Sequence, residues 1–295
     1  MISMKYDKIF HMDGFIFLDK KANELSSKVD GDIKHIFNTS KVGHVGTLDP
    51  FATGLLILGV NKATKGITFF DDFDKEYIAT IKLGIETDSM DIDGKEMSKR
   101  EVPNLSKDKI EEVLNSFLGK SKQLPPMTSA IKINGTVLYK LAHKGKEIDR
   151  PLRDIEIYEI ELLDYKNNEI TFRALVSKGT YMRVLGSDIA RKLGTVGHLS
   201  SLRRTKVGPF SVTEANKIED ISDLSLKSTY EVLSRFCITV SFDDKTIRDI
   251  KDGKIKILEG SYPSDKLLVV DSLHNVIAMY LKTNNNKYEF ARGLF

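Results

Sequence analysis

The chain has one cysteine, Cys237, and no tryptophan among its 295 residues. A single thiol excludes an internal disulfide framework, and no Cys/His cluster has zinc-ligand spacing, so ordinary side chains must supply any chemistry and no metal is expected. Long apolar runs are absent too. The longest, Leu55 to Val60, is far short of the roughly 20 residues that a membrane helix needs. Positions 1 to 13, MISMKYDKIFHMD, lack the apolar stretch of a signal peptide, so a soluble, cytoplasmic protein without a membrane partner is expected. Glycines 43, 46 and 54 do not lead into Gly-Lys-Ser/Thr, which disfavours a nucleoside-triphosphate loop. No solenoid-period repeat or low-complexity tract is present.

Net charge is also small, since 45 basic and 42 acidic residues leave +3. The distribution says more than the sum. Between Asp71 and Glu101 there are ten acidic and five basic residues, whereas Arg173 to Lys206 holds eight basic residues against Asp188 alone. A second basic stretch, Lys132 to Arg153, is interleaved with Tyr139 and His143. Such islands fit a polyanion-facing surface, and each alone fits a solvated helix face equally well.

What is present is a mixture of elements, with apolar content of 41% to build a core. GFIFLDK (14–20) reads as a strand, and Ser26-Ser27 offers a cap to a helix with Val29, Ile33, Ile36 and Phe37 on one face. YIATIKL (77–83) alternates as a strand does. Ser106 caps a helix with Ile110, Val113, Leu114, Phe117 and Leu118 at helical spacing, closed by Gly119. Segments 155–163 and 169–176 form a hairpin about Lys166-Asn167-Asn168. Helix-compatible segments lie around 213–235, and 266–271 and 276–281 are two strands. The absence of a regular strand-helix repeat predicts an α+β fold with a mixed, mainly antiparallel sheet flanked by helices. A boundary near 238 separates residues 1–238 from a small β-rich module at 239–295.

Two places carry candidate chemistry. In Thr47-Leu48-Asp49-Pro50, proline biases Asp49 toward an extended conformation at a rigid corner, which suits an aimed carboxylate and also suits an ordinary turn. Ser177-Lys178-Gly179-Thr180-Tyr181-Met182-Arg183 joins a strand to a helix. There Arg183 sits at a helix start, where the macrodipole disfavours a cation, so an anionic partner is expected. Were that partner Asp49, the arginine would keep the carboxylate ionised, as a nucleophile requires.

Four blocks in order resemble the TruB family of tRNA pseudouridine-55 synthases: GHVGTLDPFATGLLILGVNKATK (43–65), KEYIATIKLGIETDSMDIDG (75–94), QLPPMTSAIKINGTVLYKLAHKG (123–145) and SKGTYMRVLGSDIARKLGTVGHLSSLRR (177–204). The resemblance implies the pseudouridine synthase fold, an RNA-gripping insertion at about 123–151, and a shortened PUA-like RNA-binding module in the tail. It implies an enzyme that isomerises a uridine in the T-loop of tRNA at position 55, flipping the base out and using no cofactor. By the same resemblance Asp49 is the nucleophile, Arg183 its partner and Tyr77 the tyrosine that stacks on uracil. Tyr181 and Leu202 contact the target nucleotide, Lys20 lies near the site, and His44 fills the gap left by the extruded base. Lys132, Lys140, Lys144, Lys146, Arg203, Arg204 and Lys206 are candidates for phosphate contacts on the T-arm. No obligate protein partner is expected, and the chain is expected to act as a monomer.

Departures from the family pattern lie at the periphery. Asp19-Lys20-Lys21-Ala22-Asn23-Glu24-Leu25-Ser26-Ser27 is one residue longer than usual and lacks proline and glycine. Thr128, His143 and Val45 replace a common tyrosine, arginine and threonine or serine. Competing readings are the same chemistry on another structured RNA, a non-catalytic RNA-binding protein, and a nucleoside hydrolase. The hydrolase is disfavoured by the lack of a metal-ligating aspartate cluster.

Overall fold

The structure, a computed structural model, describes residues 12–127, 148–283 and 286–295, with the backbone of Lys132–Ile133 and Thr136–Val137. The chain begins with β1 (Gly14–Lys20), α1 (Ser26–Ile36), β2 (Val42–His44) and β3 (Thr53–Val60). β3 is a continuous apolar run because both of its faces are covered, and it pairs antiparallel with β1 from Gly14↔Val60 to Lys20↔Gly54. A 3-10 segment, Asn61–Phe70, leads to β4 (Lys75–Leu83), then to the short pair β5 (Ile85–Thr87) and β6 (Glu96–Lys99), to α2 (Lys107–Asn115) and to β7 (Gly119–Gln123). Two-residue strands β8 (Lys132–Ile133) and β9 (Thr136–Val137) lie in the expected insertion, most of which is outside the described residues. Next come β10 (Arg153–Lys166), β11 (Glu169–Val176), α3 (Met182–Lys192), β12 (Gly197–Val207), β13 (Phe210–Ser211), β14 (Lys227–Ser228) and α4 (Thr229–Leu233).

These strands make one ten-stranded sheet ordered β14-β1-β3-β12-β4-β11-β10-β7, with β2 beside β3 and β13 beside β12. Every pairing along it is antiparallel except β3 with β12, which is parallel over Arg203↔Thr53 and Arg204↔Gly54. The α+β class and the mixed, mainly antiparallel sheet are therefore as the sequence predicts. That one parallel seam joins the half carrying Asp49 to the half carrying Tyr77. Gly54 makes it possible: at φ +103, its backbone lies so close that a Cβ would stand 2.2 Å from the Arg204 carbonyl oxygen.

Local chemistry explains most elements. β11 alternates, burying Ile170, Phe172, Ala174 and Val176 against α2 and α3. Asn167 and Asn168 take φ of 52° and 59°, the left-handed pair that a two-residue hairpin requires. Ser106 caps α2 through the Lys109 amide, but α2 ends at Asn115, so Leu118 is exposed and Gly119 opens a strand. α1 differs from expectation. Leu25 occupies its cap position, and the Ser26 hydroxyl instead bonds both the amide and the carbonyl of Leu48. The helix-compatible segments around 213–235 form short 3-10 turns and the five-residue α4, opened by caps such as Ser211 and Ser228, whose side chains accept from the Thr213 and Glu231 amides.

The tail holds β15 (Ile238–Ser241), α5 (Asp244–Lys251), β16 (Ile257–Glu259), β17 (Lys266–Val270), β18 (Val276–Lys282) and β19 (Lys287–Gly293), in a five-stranded sheet of order β15-β17-β18-β19-β16. Its inner face shares a core with the large sheet, where Phe15, Phe17, Phe70 and Phe210 pack with Leu268, Val270, Met279 and Leu294. Phe70 is fully buried at the centre, 5.3 Å from the Phe15 ring and 5.2 Å from that of Phe236. Phe70→Ala should therefore lower unfolding free energy by about 3–5 kcal/mol. The wild type should unfold in urea as one transition, and two separated transitions would show that the sheets do not share stability.

Candidate active site

Asp49 lies on the loop between β2 and β3, and the sequence around it is braced from three sides. Ser26 holds the backbone of Leu48. The Lys20 ammonium, 1% exposed, donates to the carbonyls of Pro50 (3.1 Å), Lys21 (2.8 Å) and Glu24 (2.7 Å). Burial lowers the Lys20 pKa to about 8, against the pull of Glu24 and Asp49. The Arg204 guanidinium donates to the carbonyls of Leu55, Gly46 and Val45 at 2.8, 2.9 and 3.4 Å. Proline stiffens the corner, and tertiary contacts hold it in place.

Arg183, in the first turn of α3, reaches this loop. Its Nε lies 2.9 Å from Asp49 Oδ2 and its Nη2 donates to Oδ1 at 3.2 Å, a two-point carboxylate clasp. Nη1 donates to the Ser89 carbonyl (3.0 Å) and to Asp91 Oδ2 (3.3 Å). The anionic partner that the helix start called for is thus a pair of carboxylates. Asp91 is itself pinned, since Ser89 Oγ and the Asp93 amide both donate to Oδ1. Sequence reasoning missed Asp91, although it lies within the quoted TDSMDIDG block.

Burial pushes the Asp49 pKa above its ordinary value; Arg183 pulls it down and Asp91 pushes it up, and burial prevails. Arg183 opposes that rise from two of its nitrogens. Asp91 is raised by burial as well, against Ser89 and Arg183.

Above Asp49 opens a cleft of about 320 Å³ lined by Thr47, Asp49, Lys75, Tyr77, Tyr181, Arg183, Leu202 and Arg204, among others. Tyr77 comes from β4, Leu202 from β12, and Tyr181 from the cap position of α3, where Gln123 holds its amide and carbonyl at 2.7 and 3.1 Å. Lys20 lies beneath the loop as a backbone brace and does not line the cleft. His44 stands beside it, with Nδ1 2.9 Å from Asp30 and Nε2 3.0 Å from the Thr47 hydroxyl. Lys75 lines the cleft, and neither it nor Gln123 was picked out from the sequence.

The expected phosphate contacts divide. Lys140, Lys144 and Lys146 lie outside the described residues, as does the side chain of Lys132. Arg203 is part-exposed and forks onto Asp19 at 2.7 and 2.9 Å, and Lys206 is exposed 3.2 Å from Glu76. Arg204 departs from expectation: at 2% exposure and turned into the loop, it offers nothing to a phosphate. A wider groove of about 1090 Å³ adjoins the cleft through Ser177 and Gly179; its lining mixes Lys120, Lys122, Arg153 and Lys178 with Asp71, Asp154 and Glu156, and Lys178 is paired with Asp72.

The family model for the N-terminal domain of TruB family pseudouridylate synthases matches residues 34–182, and that for the tRNA pseudouridylate synthase B C-terminal domain matches 183–238. The chain belongs to the TruB family. A tRNA pseudouridine synthase B from Francisella tularensis subsp. tularensis (strain WY96-3418) is 45% identical over 245 residues, which is 83% of this chain and 80% of that one. Its counterpart from Francisella philomiragia subsp. philomiragia is 44% identical over the same shares. Among solved structures, a crystal structure of a Cbf5-Nop10-Gar1 complex contains a chain that superposes with a TM-score of 0.73 at 25% identity, covering 96% of this chain and 85% of that one. The TruB match thus spans both Asp49 and Arg183, while the fold likeness extends into the tail.

A raised carboxylate loses its charge as pH falls through a value above that of an ordinary aspartate, near 3.8. Carboxyl ¹³C NMR of this TruB chain should therefore find Asp49 titrating above that value, and Asp91→Asn should move the midpoint down. A midpoint at or below the ordinary value in the wild type would overturn the assignment of burial as the dominant cause.

Proposed function

We propose that the protein isomerises a uridine in the T-loop of tRNA, at position 55, to pseudouridine, with Asp49 as nucleophile. The observation that carries this reading is the Asp49 carboxylate clasped by Arg183 at the base of a cleft shaped by Tyr77, Tyr181 and Leu202. Isomerisation breaks the bond from C1′ to N1 and forms one from C1′ to C5, while C5 gives up its proton and N1 gains one. No atom of the nucleoside skeleton leaves, so one carboxylate suffices provided water is kept from the intermediate. Glycoside hydrolysis would need a second carboxyl group to handle water or the leaving group, and Asp91 is tied to Ser89, Asp93 and Arg183.

The target base must leave its stack to reach this cleft, at a cost of about a few kcal/mol. Tyr77 offers the ring on which uracil stacks, and His44, oriented by Asp30, stands ready to fill the vacated space. Phosphate contacts in the adjoining groove, from Lys120, Lys122, Arg153 and Lys178, offset the cost together with the basic insertion. The five-stranded sheet from Ile238 serves as a PUA-like module on the same T-arm. One chain supplies Asp49, Tyr77 and Arg183 to a single cleft, which is consistent with a cytoplasmic enzyme working as a monomer.

Unmodified tRNA carrying tritium at uracil C5 should release tritium to water with the wild type and not with Asp49→Ala. Equal release from both would sink the nucleophile assignment, and tight binding without release would favour an RNA-binding protein. Affinity for tRNA should fall by about 10³-fold or more between 50 and 200 mM salt if six or more phosphates are contacted. A flat salt dependence would count against an RNA substrate.

A further inference from the structure

Arg204 combines features that backbone bracing alone does not require. It is among the largest fully buried side chains, and its three carbonyl acceptors bracket Asp49: Val45 and Gly46 precede the aspartate and Leu55 follows it. Across the β4–β12 ladder Arg204 is the direct partner of Tyr77, so the two side chains share one face, and both line the cleft. That pairing sets Tyr77 beside Arg204, with its hydroxyl within electrostatic reach of the guanidinium. Among the described residues the guanidinium's hydrogen bonds go to those three carbonyls, and no carboxylate pairs with it. A buried cation without an anion is costly, and an apolar side chain of similar volume would fill the same space at less cost. What an apolar chain cannot do is present several donors in one rigid plane.

We infer that Arg204 is a positioning residue for the isomerisation: one guanidinium fixes the loop that carries Asp49 against the hydroxyl of Tyr77, setting the spacing between carboxylate and phenol. The inference rests on the activity proposed above. The parallel seam supports it, since Gly54 lets the Arg204 backbone lie against the loop it braces, and the side chain then grips the loop from the other direction. Arg203, one position along, faces the opposite side of the strand and binds Asp19, so the neighbouring arginine takes no part.

A double-mutant cycle tests this with four proteins: wild type, Arg204→Lys, Tyr77→Phe and the double variant. Lysine keeps the charge and loses the fork. Arg204→Lys should lower kcat by about 10²-fold with KM and tRNA Kd changed less than about 2-fold, and should lower kcat by less than about 5-fold when Tyr77 is already Phe. Additive losses would mean that Arg204 does not act through Tyr77. A rise in Kd that matches the loss in kcat/KM would return Arg204 to RNA binding. Both results overturn the inference. If Arg204→Lys does not fold, Tyr77→Phe alone remains informative: it should melt below the wild type, because the buried guanidinium loses its polar neighbour across the ladder, and an unchanged or higher Tm overturns the coupling. Should the wild type release no tritium from tRNA, the proposed activity fails, while the melting comparison still decides the coupling.

Discussion

The site depends on one buried cation shared between two carboxylates. Arg183 is 4% exposed, and such a charge persists only where its surroundings repay the water it has lost. Asp49 does so from one side and Asp91 from the other, although they stand 134 and 92 residues from Arg183 in the chain. Three otherwise unrelated segments are thereby held in register: the Asp-Pro loop after β2, the turn between β5 and β6, and the first turn of α3. A carboxylate aimed in this way does not have to search for its target.

Around that pair the cleft concentrates positive charge that is poorly hydrated. Lys20, Lys75, Arg183 and Arg204 all lie close to Asp49, and burial lowers the pKa of both Lys20 and Lys75. Lys20 and Arg204 spend their donors on backbone carbonyls in and around the loop, so they stiffen the frame and add positive potential at the same time. Exposed cations lie in the adjoining groove, at Lys120, Lys122, Arg153 and Lys178. This gradient, from desolvated charge inside to hydrated charge outside, suits a substrate whose phosphates stay in water while one base goes in.

Elements governed by neighbouring residues were legible. β1 and β11 match the strands read from apolar pattern, and the Asn167-Asn168 turn follows from the tolerance of asparagine for positive φ. Elements decided by competition were not. Ser26 reads as a helix cap, yet its hydroxyl serves Leu48. In the tail two strands were visible and five formed, because short strands such as Ile238–Ser241 gain their pairing from partners distant in sequence.

By itself the sequence determined the ingredients of the site and their local stiffness: an aspartate before a proline, a tyrosine on an alternating strand, an arginine opening a helix. The TruB resemblance supplied the functional meaning that no single motif carries. Tertiary structure alone decided which groups meet and what environment they share. It brought Asp91 to Arg183, let burial outweigh Arg183 in setting the Asp49 carboxylate, and sent adjacent arginines to opposite fates, Arg203 toward Asp19 and water and Arg204 into the loop. The reason is geometric. Successive residues of a strand point to opposite faces, and which face is buried depends on the pairing of β12 with β3 and β4, which lie far away in the chain.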